Sequence, residues 1–263
     1  MKFSRLALVA AVAAVASFQV AAQASTVYSA SDAFESAYAS PTTTGSAGQF
    51  SFGYAGTTVG SAVTPYTATT SAGTTHVLTW NPATSDLVPS VFHNSSASSA
   101  STFYTVYLEP NQLAFHPGSG NQYSVITFTA PSSGLYDVAA AFEGADNGNG
   151  TTTDVHVLQD GIVLDSGFVT GFHNPSGSVD FSGQYALAAN QTLSFWVGVG
   201  ANGNYGSDTT GIIGADLTIT GPGEVTANAP TAVPLPASAL SGGALLGLVT
   251  LARAARRRAL AAD

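Results

Sequence analysis

Apolar residues recur at every second position in two stretches in the middle of the chain, residues 136–142 and 193–199. Successive side chains of a β-strand point to opposite faces, so this spacing puts the apolar residues of each stretch on one face. The two sets are Tyr136, Val138, Ala140 and Phe142, and Leu193, Phe195, Val197 and Val199. We expect both faces to line a hydrophobic core.

Short runs of β-branched and aromatic residues, separated by Gly, Pro, Asn and Ser, predict further strands. The predicted strands are Phe103–Leu108, Tyr123–Thr129, Leu135–Phe142, Thr153–Gln159, Ile162–Asp165, Thr192–Val199 and Ile212–Thr220. Asp160-Gly161 predicts a two-residue hairpin turn with positive φ. Stretches with helical periodicity are missing, and residues 40–75 favour no element. The pattern predicts an all-β fold, a two-sheet β-sandwich over residues 25–220, with a linker over 221–232.

The first 24 residues have the parts of a secretory signal peptide in the usual order. Lys2 and Arg5 precede an apolar run, and Ala22 and Ala24 are small residues at the two positions that signal peptidase reads. The apolar run is shorter than the roughly 20 residues that a transmembrane helix needs. The sequence therefore predicts cleavage before Ser25 and export of the mature chain.

The last 31 residues also divide into three parts. They are the motif Val233-Pro234-Leu235-Pro236-Ala237, a stretch of small and apolar residues over about 237–252, and the arginines Arg253, Arg256, Arg257 and Arg258. As a helix the middle part is about 24 Å long against a bilayer core of about 30 Å, so it spans the bilayer only with local thinning or snorkelling arginines. The positive-inside rule keeps the arginines cytoplasmic and the body on the outer face of the inner membrane.

This tail resembles the PEP-CTERM sorting signal of Gram-negative bacteria, which combines a Val-Pro-x-Pro-Ala motif, a short transmembrane helix and a terminal arginine cluster. Leu235 stands where the family name places Glu. The resemblance implies recognition by an exosortase, a membrane transpeptidase-like protease. It also implies transient anchoring in the inner membrane and delivery to the cell surface or extracellular matrix, often alongside exopolysaccharide production. An ordinary tail anchor remains the alternative, since it also has a short helix with flanking arginines.

The body of the chain has a resemblance of its own. The segments 113–118, 123–136, 153–157 and 200–211 are similar to those of a β-sandwich type common in exported bacterial proteins with such tails. That type is similar in outline to jelly-roll carbohydrate-binding modules. The resemblance implies a jelly-roll-like sandwich, and it brings no ligand or catalytic residue with it.

The distribution of charge excludes several classes of function. No Lys or Arg occurs from Leu6 through Ala252, whereas all 15 Asp and Glu residues except Asp263 lie in that stretch, and the chain has no Cys. Nucleic acid is excluded as a partner because phosphate backbones are bound by Lys and Arg. P-loop, Schiff-base and thiol chemistry and Cys-ligated zinc are excluded for want of Lys or Cys.

Two oxygen-rich loops predict a calcium site. The first contains Asp146, Asn147 and Asn149 and leads to Asp154, and the second, after Gly200, ends at Asp208. Carboxylate and carbonyl oxygens are the ligands that Ca²⁺ prefers, and the body has no cation to neutralise clustered carboxylates. The alternative is that these Asx-Gly clusters form tight turns without a metal.

Two further sets of residues have the chemistry of a site. His93, His116 and His173 would bind a transition metal if the fold brought them to one end of the sandwich, with structural histidines as the alternative. Glu109 and Glu143 would serve as the carboxylate pair of a glycosidase, with ordinary strand ends as the alternative.

Three aromatic residues are candidates for stacking on a sugar ring, namely Tyr205, Trp80 and Trp196. Such rings suit the apolar face of a sugar when carboxylate acceptors lie beside them. Tyr205 lies in a Gly-Asn loop with little apolar context, which predicts an exposed ring. Trp196 follows a core-facing Phe and has a core position as its alternative.

These features together predict an exported, acidic, non-catalytic protein of the cell surface or extracellular matrix, with a structural or adhesive role. Signal peptidase and an exosortase are the expected processing partners. Two alternatives stay open, a carbohydrate-binding module for exopolysaccharide and a glycoside hydrolase. Calcium is the one cofactor that the sequence suggests.

Overall fold

The computed structural model describes residues 25–39, 46–71, 77–82, 87–103 and 105–222. The predicted signal peptide, the predicted sorting tail and most of the predicted linker lie outside the described residues. Within the described residues, no helix combines the length and the apolar character needed to cross a membrane.

The described chain contains twenty β-strands, one α-helix and a 3-10 turn at Pro175–Gly177. The first ten strands and the helix are β1 (Ser25–Ser29), α1 (Ala30–Ala39), β2 (Ser46–Ala47), β3 (Phe50–Ala55), β4 (Val63–Pro65), β5 (Ala68–Ser71), β6 (Val77–Asn81), β7 (Ser90–Asn94), β8 (Ala100–Thr102), β9 (Val106–Leu108) and β10 (Leu113–His116). The others are β11 (Tyr123–Thr129), β12 (Gly134–Ala139), β13 (Ala141–Gly144), β14 (Thr151–Gln159), β15 (Ile162–Gly171), β16 (Val179–Asp180), β17 (Gly183–Leu187), β18 (Thr192–Val197), β19 (Thr210–Ile212) and β20 (Thr218–Pro222).

These strands form three larger antiparallel sheets and the small hairpin β8-β9. The front sheet has the order β15-β14-β18-β11-β3-β2, with β4 also paired to β3. The back sheet has the order β16-β13-β19-β10-β7-β6-β5, and a four-stranded sheet has the order β1-β20-β12-β17.

Aromatic side chains from the sheets meet in one core. The ring of Phe142 in the back sheet lies 6.4 Å from that of Phe195 in the front sheet, measured between centroids. Tyr136 of the four-stranded sheet lies 5.5 Å from Phe128 of the front sheet, and all four rings belong to the same buried cluster. The described chain is therefore an all-β sandwich, and the predicted fold class is confirmed at that level.

The alternating patterns identify the core correctly. Every member of the two predicted apolar sets is at most 9% exposed. The Asp160-Gly161 turn is also confirmed, with φ of 49° and 79° at its two residues. The first apolar set is divided between two sheets, because the strand breaks at Ala140 between β12 and β13.

Several predicted strand limits are wrong. Phe103 has a φ of 46° and lies outside the strands. Only the last part of the predicted strand over 103–108 is a strand in the structure, namely β9. The predicted strand over 212–220 is two elements, because the chain turns at Gly214, with a φ of 81°, between β19 and β20. β15 continues to Gly171, and β20 runs to Pro222, two residues beyond the predicted end of the sandwich.

Helix α1 is an element of a type that the sequence pattern did not predict. Ser29 caps its first turn, because its Oγ accepts a hydrogen bond from the backbone N–H of Asp32 at 3.0 Å. Ala30, Phe34 and Ala37 are spaced by four and three residues, so they share one buried face. Two of these three are alanines, which makes the apolar stripe too weak to stand out in the sequence.

Candidate functional site

The outer side of the front sheet carries a cluster of polar and aromatic side chains. Asp154 and His156 lie on β14, where they alternate with core residues, and Phe168 and Ser166 lie directly opposite them on β15. Tyr123 reaches the same surface from β11 and donates a hydrogen bond to Asp154. We call the surface formed by these five residues the Asp154 face.

Asp154 is the centre of the hydrogen bonds on this face. Its Oδ2 accepts from the Tyr123 hydroxyl at 2.7 Å and lies 2.8 Å from His156 Nε2, and its Oδ1 accepts from the Gly200 N–H at 2.8 Å. Burial raises the pKa of Asp154, but the hydrogen bonds from His156, Tyr123 and Gly200 outweigh it, so the net pKa lies below the ordinary value. Asp154 is therefore an ionised acceptor at neutral pH.

The imidazole of His156 lies between the Asp154 carboxylate and the Ser166 hydroxyl. Because Asp154 is an ionised acceptor, the Nε2 of His156 that faces it carries a proton. Ser166 Oγ lies 2.6 Å from Nδ1 of the same ring, within hydrogen-bond distance. Burial and the bond to Asp154 raise the pKa of Tyr123, which keeps its hydroxyl protonated as a donor.

Two glycines after β18 allow the backbone to approach Asp154. A Cβ at Gly198 would collide with the Tyr123 ring, and one at Gly200 would collide with the Thr152 carbonyl. Gly200 also has a φ of 64°, a conformation that residues with a Cβ rarely adopt. The Gly200 N–H can therefore reach Asp154 because both positions lack side chains.

Ser166, His156 and Asp154 stand in the order of a nucleophile, a base and a carboxylate. An acyl-transfer site also needs N–H donors placed around an oxyanion. The backbone N–H of Ser166 is already bonded to Asp165 Oδ1 at 2.7 Å. We interpret the chain of hydrogen bonds as one that orders the face.

The Asp154 face combines an apolar ring with ordered polar groups at the surface. Phe168 is 62% exposed, and Ser166 is also exposed. The side chains of Asp154 and His156 are each 14% exposed, and the Tyr123 ring packs against the His156 ring at 5.8 Å. A ligand at this surface meets an apolar ring, a hydroxyl and the edge of a carboxylate-imidazole pair.

The predicted sugar-stacking role of Trp80 and Trp196 is wrong. Their exposed fractions are 1% and 2%, so neither presents a ring face to a ligand. Trp80 belongs to the main core, and Trp196 lies under the Tyr123 ring with its N–H bonded to Ser194 Oγ at 2.8 Å. Tyr205 is partly exposed and lies edge-on to His116, with 6.2 Å between ring centroids, so it packs rather than standing free.

The residues of the predicted calcium site occupy different settings. Asp154 belongs to the Asp154 face, while Asn147 and Asn149 are exposed in a turn. Asp146 and Asp208 are buried, at 3% and 0% exposure. Among the described residues, no group of three or more His, Asp and Glu side chains is arranged to hold a metal ion. A calcium site on Asp146 and Asp208 remains a prediction that would need ligands beyond such side chains.

Asp208 is bonded through only one of its oxygens. Its Oδ1 accepts from the N–H and the hydroxyl of Thr152 at 2.9 and 3.1 Å, whereas its buried Oδ2 has no partner. Burial raises the pKa of Asp208 to about 6; the bonds from Thr152 oppose this, and the charges of Asp146 and Asp154 add to it.

We expect Asp208 to make stability depend on pH. Its pKa is higher in the folded than in the unfolded chain, so its contribution is complete below about pH 4 and is lost as the pH rises through about 6. The loss is at most about 3 kcal/mol. Asp208→Asn should remove this slope and raise the free energy of unfolding at pH 8, as measured by urea unfolding in EDTA.

The same variant tests the calcium prediction. If Ca²⁺ binds Asp208, adding Ca²⁺ should stabilise the wild-type protein and not Asp208→Asn. An equal effect of Ca²⁺ on both proteins would contradict a site at Asp208. An unchanged pH slope in the variant would contradict the titration of this carboxyl.

The predicted histidine and glutamate sets are not brought together as metal ligands in the described part of the chain. The nearest polar partners are Glu35 for His93, the Pro117 carbonyl for His116 and Glu143 for His173. The side chains of Glu109 and Glu143 also have separate donors, Ser99 for the first and Gln112 for the second.

Sequence reasoning identified Asp154 for another role and missed the other four members of the Asp154 face. The available signal was the outward side of β14, where Asp154 and His156 alternate with valines ahead of a strong turn. Phe168 gave no signal, because the predicted strand ended three residues before it.

Comparison with known proteins identifies no family. No protein-family model and no curated protein matches the chain. Similar solved structures include CBM51 from Clostridium perfringens GH95 in complex with methyl-galactose, with 12% identity over 59% of this chain and 93% of that one, at a TM-score of 0.33. CBM35 from Paenibacillus barcinonensis has 13% identity over 49% and 96%, at 0.27. The C-terminal CBM6 of LamC from Zobellia galactanivorans has 11% over 59% and 92%, at 0.25. These values are too low to carry a conclusion about this chain.

Proposed function

We propose that this protein is an exported, non-catalytic polysaccharide-binding protein of the cell surface, and that the Asp154 face is its binding surface. The observation that supports the proposal is the exposed ring of Phe168 directly opposite the ordered carboxylate of Asp154. An adhesive or structural role at the surface follows from binding of this kind.

The chemistry of the face suits a sugar. A pyranose ring has an apolar side that stacks on an aromatic ring, and its hydroxyls donate to and accept from polar groups at the edge. Phe168 offers the ring, Ser166 offers a hydroxyl, and hydrogen bonds hold the side chains of Asp154 and His156 in place. Fixed donors and acceptors lose little freedom on binding, which favours affinity.

The site lies on the outer side of a sheet and includes two residues of its edge strand β15. An extended polymer can lie along such a surface and contact it with several units, whereas small-molecule sites are typically concave. Each sugar unit adds contacts, so affinity should increase with chain length.

Binding to a panel of polysaccharides tests the proposal. The full-length protein in mild detergent should bind at least one neutral or acidic glycan, and longer fragments of that glycan should bind more tightly. Parallel measurements with Ca²⁺ and with EDTA show whether calcium contributes. Absence of binding across the panel would contradict the proposal. Release of shortened glycan would also contradict it and would favour the alternative function, a glycoside hydrolase.

Export and sorting are the second part of the proposal, supported by the two ends of the sequence. We expect a mature form that begins near Ser25 and ends near the Val233–Ala237 motif, because signal peptidase and an exosortase would remove the flanking segments. Mass spectrometry of the surface or secreted protein measures both ends. Mature protein that retains Arg256–Arg258 would contradict exosortase processing and favour a plain tail anchor.

A further inference from the structure

A polar pocket of about 390 Å³ opens beside the first turn of α1. Every residue that lines it is polar, and the lining includes the carboxylates of Asp32, Glu35 and Asp216, the imidazole of His93, and the side chains of Ser29 and Asn111. The pocket is built from the end of β1, the start of α1, β7 and two loops. It lies apart from the residues of the Asp154 face.

His93 is a buried polar group that lacks a well-formed hydrogen bond in this pocket. It is 2% exposed, and neither ring nitrogen has a hydrogen bond of good geometry, although the Asn111 backbone lies close enough to affect the pKa of the ring. The Glu35 carboxylate comes nearest, with Oε1 at 3.4 Å from Nδ1, beyond good hydrogen-bond distance. Buried polar groups almost always have good hydrogen bonds, so an imidazole without one in a pocket wall indicates a place for a ligand group.

The carboxylates around the pocket also lack a counter-charge. No Lys or Arg occurs from Leu6 through Ala252. The N–H groups of the helix start are already used, because Ser31 donates to Asp216 Oδ1 at 2.9 Å and Asp32 donates to Ser29 Oγ. The positive end of the helix dipole therefore partly offsets the negative charges of Asp216 and Asp32. Glu35 lies one turn further along the helix, where this effect is weaker.

The imidazole is suited to accept or donate as a neutral ring. Burial lowers the pKa of His93, and the opposing effects of Glu35, the Asn111 backbone, Asp216 and Asp32 do not reverse the shift. A neutral ring has one acceptor nitrogen and one N–H donor. A ligand that carries both a cation and hydroxyls would satisfy the carboxylates and the ring together.

We propose that this pocket binds an amino sugar with a free amine, such as an unacetylated hexosamine unit. The ammonium would donate to Glu35 and Asp216, and a neighbouring hydroxyl would pair with His93. A metal ion alone is disfavoured, since no three His, Asp or Glu groups of the described residues are arranged to hold one. A lysine side chain is disfavoured because its four-carbon stem would meet only polar walls.

Titration calorimetry with three tetrasaccharides tests this proposal. The full-length protein is titrated with fully deacetylated chitotetraose, its fully N-acetylated form, and cellotetraose. We expect the deacetylated form to bind about tenfold or more tightly than either comparator, because only it carries ammonium groups. Equal affinity for the acetylated and deacetylated forms would overturn the proposal.

A pair of variants separates this pocket from general attraction to an acidic protein. Glu35→Gln removes one charge at the pocket, where the side chain is 50% exposed and folding is not at risk. Asp180→Asn removes one charge from the exposed end of β16, where Asp180 accepts from the Ser182 N–H. Affinity for the deacetylated tetramer should decrease about tenfold in Glu35→Gln and stay unchanged in Asp180→Asn. Equal decreases in affinity in the two variants would indicate general charge attraction and would overturn the proposed site.

The proposal does not depend on the Asp154 face. Phe168→Ala should leave the affinity for the deacetylated tetramer unchanged, and Glu35→Gln should leave the affinity for the glycan of the Asp154 face unchanged. Either site can therefore fail its test while the other passes.

Discussion

Trp196→Ala should lower the free energy of unfolding by about 3 to 5 kcal/mol, the usual cost of removing a large buried aromatic ring. Trp196 is 2% exposed and packs with Ala55, Val125 and Leu158 on the outer side of the front sheet. Its loss would leave a cavity under Tyr123 and an unpaired Ser194 hydroxyl. Urea unfolding of the full-length protein, followed by circular dichroism, measures the change.

Trp196→Phe is the matched control. It keeps most of the apolar volume and removes the N–H, so we expect less than half the loss seen with alanine. A sugar-stacking Trp at the surface would behave differently, since its truncation would leave stability almost unchanged. A loss below about 1 kcal/mol in Trp196→Ala would therefore contradict the buried position.

Phe168→Ala should weaken polysaccharide binding by about 1 to 3 kcal/mol while leaving stability almost unchanged. The ring is 62% exposed, so its removal creates little cavity, but it is the apolar platform of the Asp154 face. Binding is measured with the glycan selected by the panel, and stability by urea unfolding. The two readouts separate a binding role from a structural one.

Leu135→Ala is the control for loss of an exposed apolar side chain. Leu135 is 61% exposed and lies on β12 of the four-stranded sheet, away from the front sheet. We expect it to bind glycan like the wild-type protein. Equal weakening in both variants would show that surface apolar area, rather than the Asp154 face, governs binding.

Much of the sandwich could be predicted because buried strands follow a period of two. The apolar positions of residues 193–199 identify the inner side of β18 correctly, and Asp160-Gly161 identifies the hairpin of β14 and β15. α1 could not be found in this way, because its buried face contains a single large residue, Phe34. The cap at Ser29 and the contact of Phe34 with Phe52 hold it in place instead.

The Asp154 face could not be derived from the hairpin alone. A two-residue turn at 160–161 pairs Gln159 with Ile162, and a regular ladder would then place His156 opposite Asp165. The register shifts by one residue between Val157 and Leu158, so His156 faces Ser166 instead. That bulge lies within the strands and not in the turn, and it decides which side chains meet.

Trp80 and Trp196 show that the sequence does not reveal which side chains are exposed. Their chemistry suggested a sugar platform, but composition does not reveal which side of a strand is covered. The outer side of β18 at Trp196 is buried by Tyr123, Val59 and their neighbours, so both sides of this strand are closed there. Coverage by a long connection such as the one between β3 and β4 has no periodic signature.

The most direct test of the account is to locate the bound glycan. The isotope-labelled full-length protein is titrated with a fragment of the selected polysaccharide, and the ring resonances of Tyr123, His156 and Phe168 are followed by NMR. We predict that these three shift with one binding constant, while Tyr205 and His116 do not respond. Shifts confined to Tyr205 and His116, with no change at Tyr123, His156 and Phe168, would contradict binding at the Asp154 face.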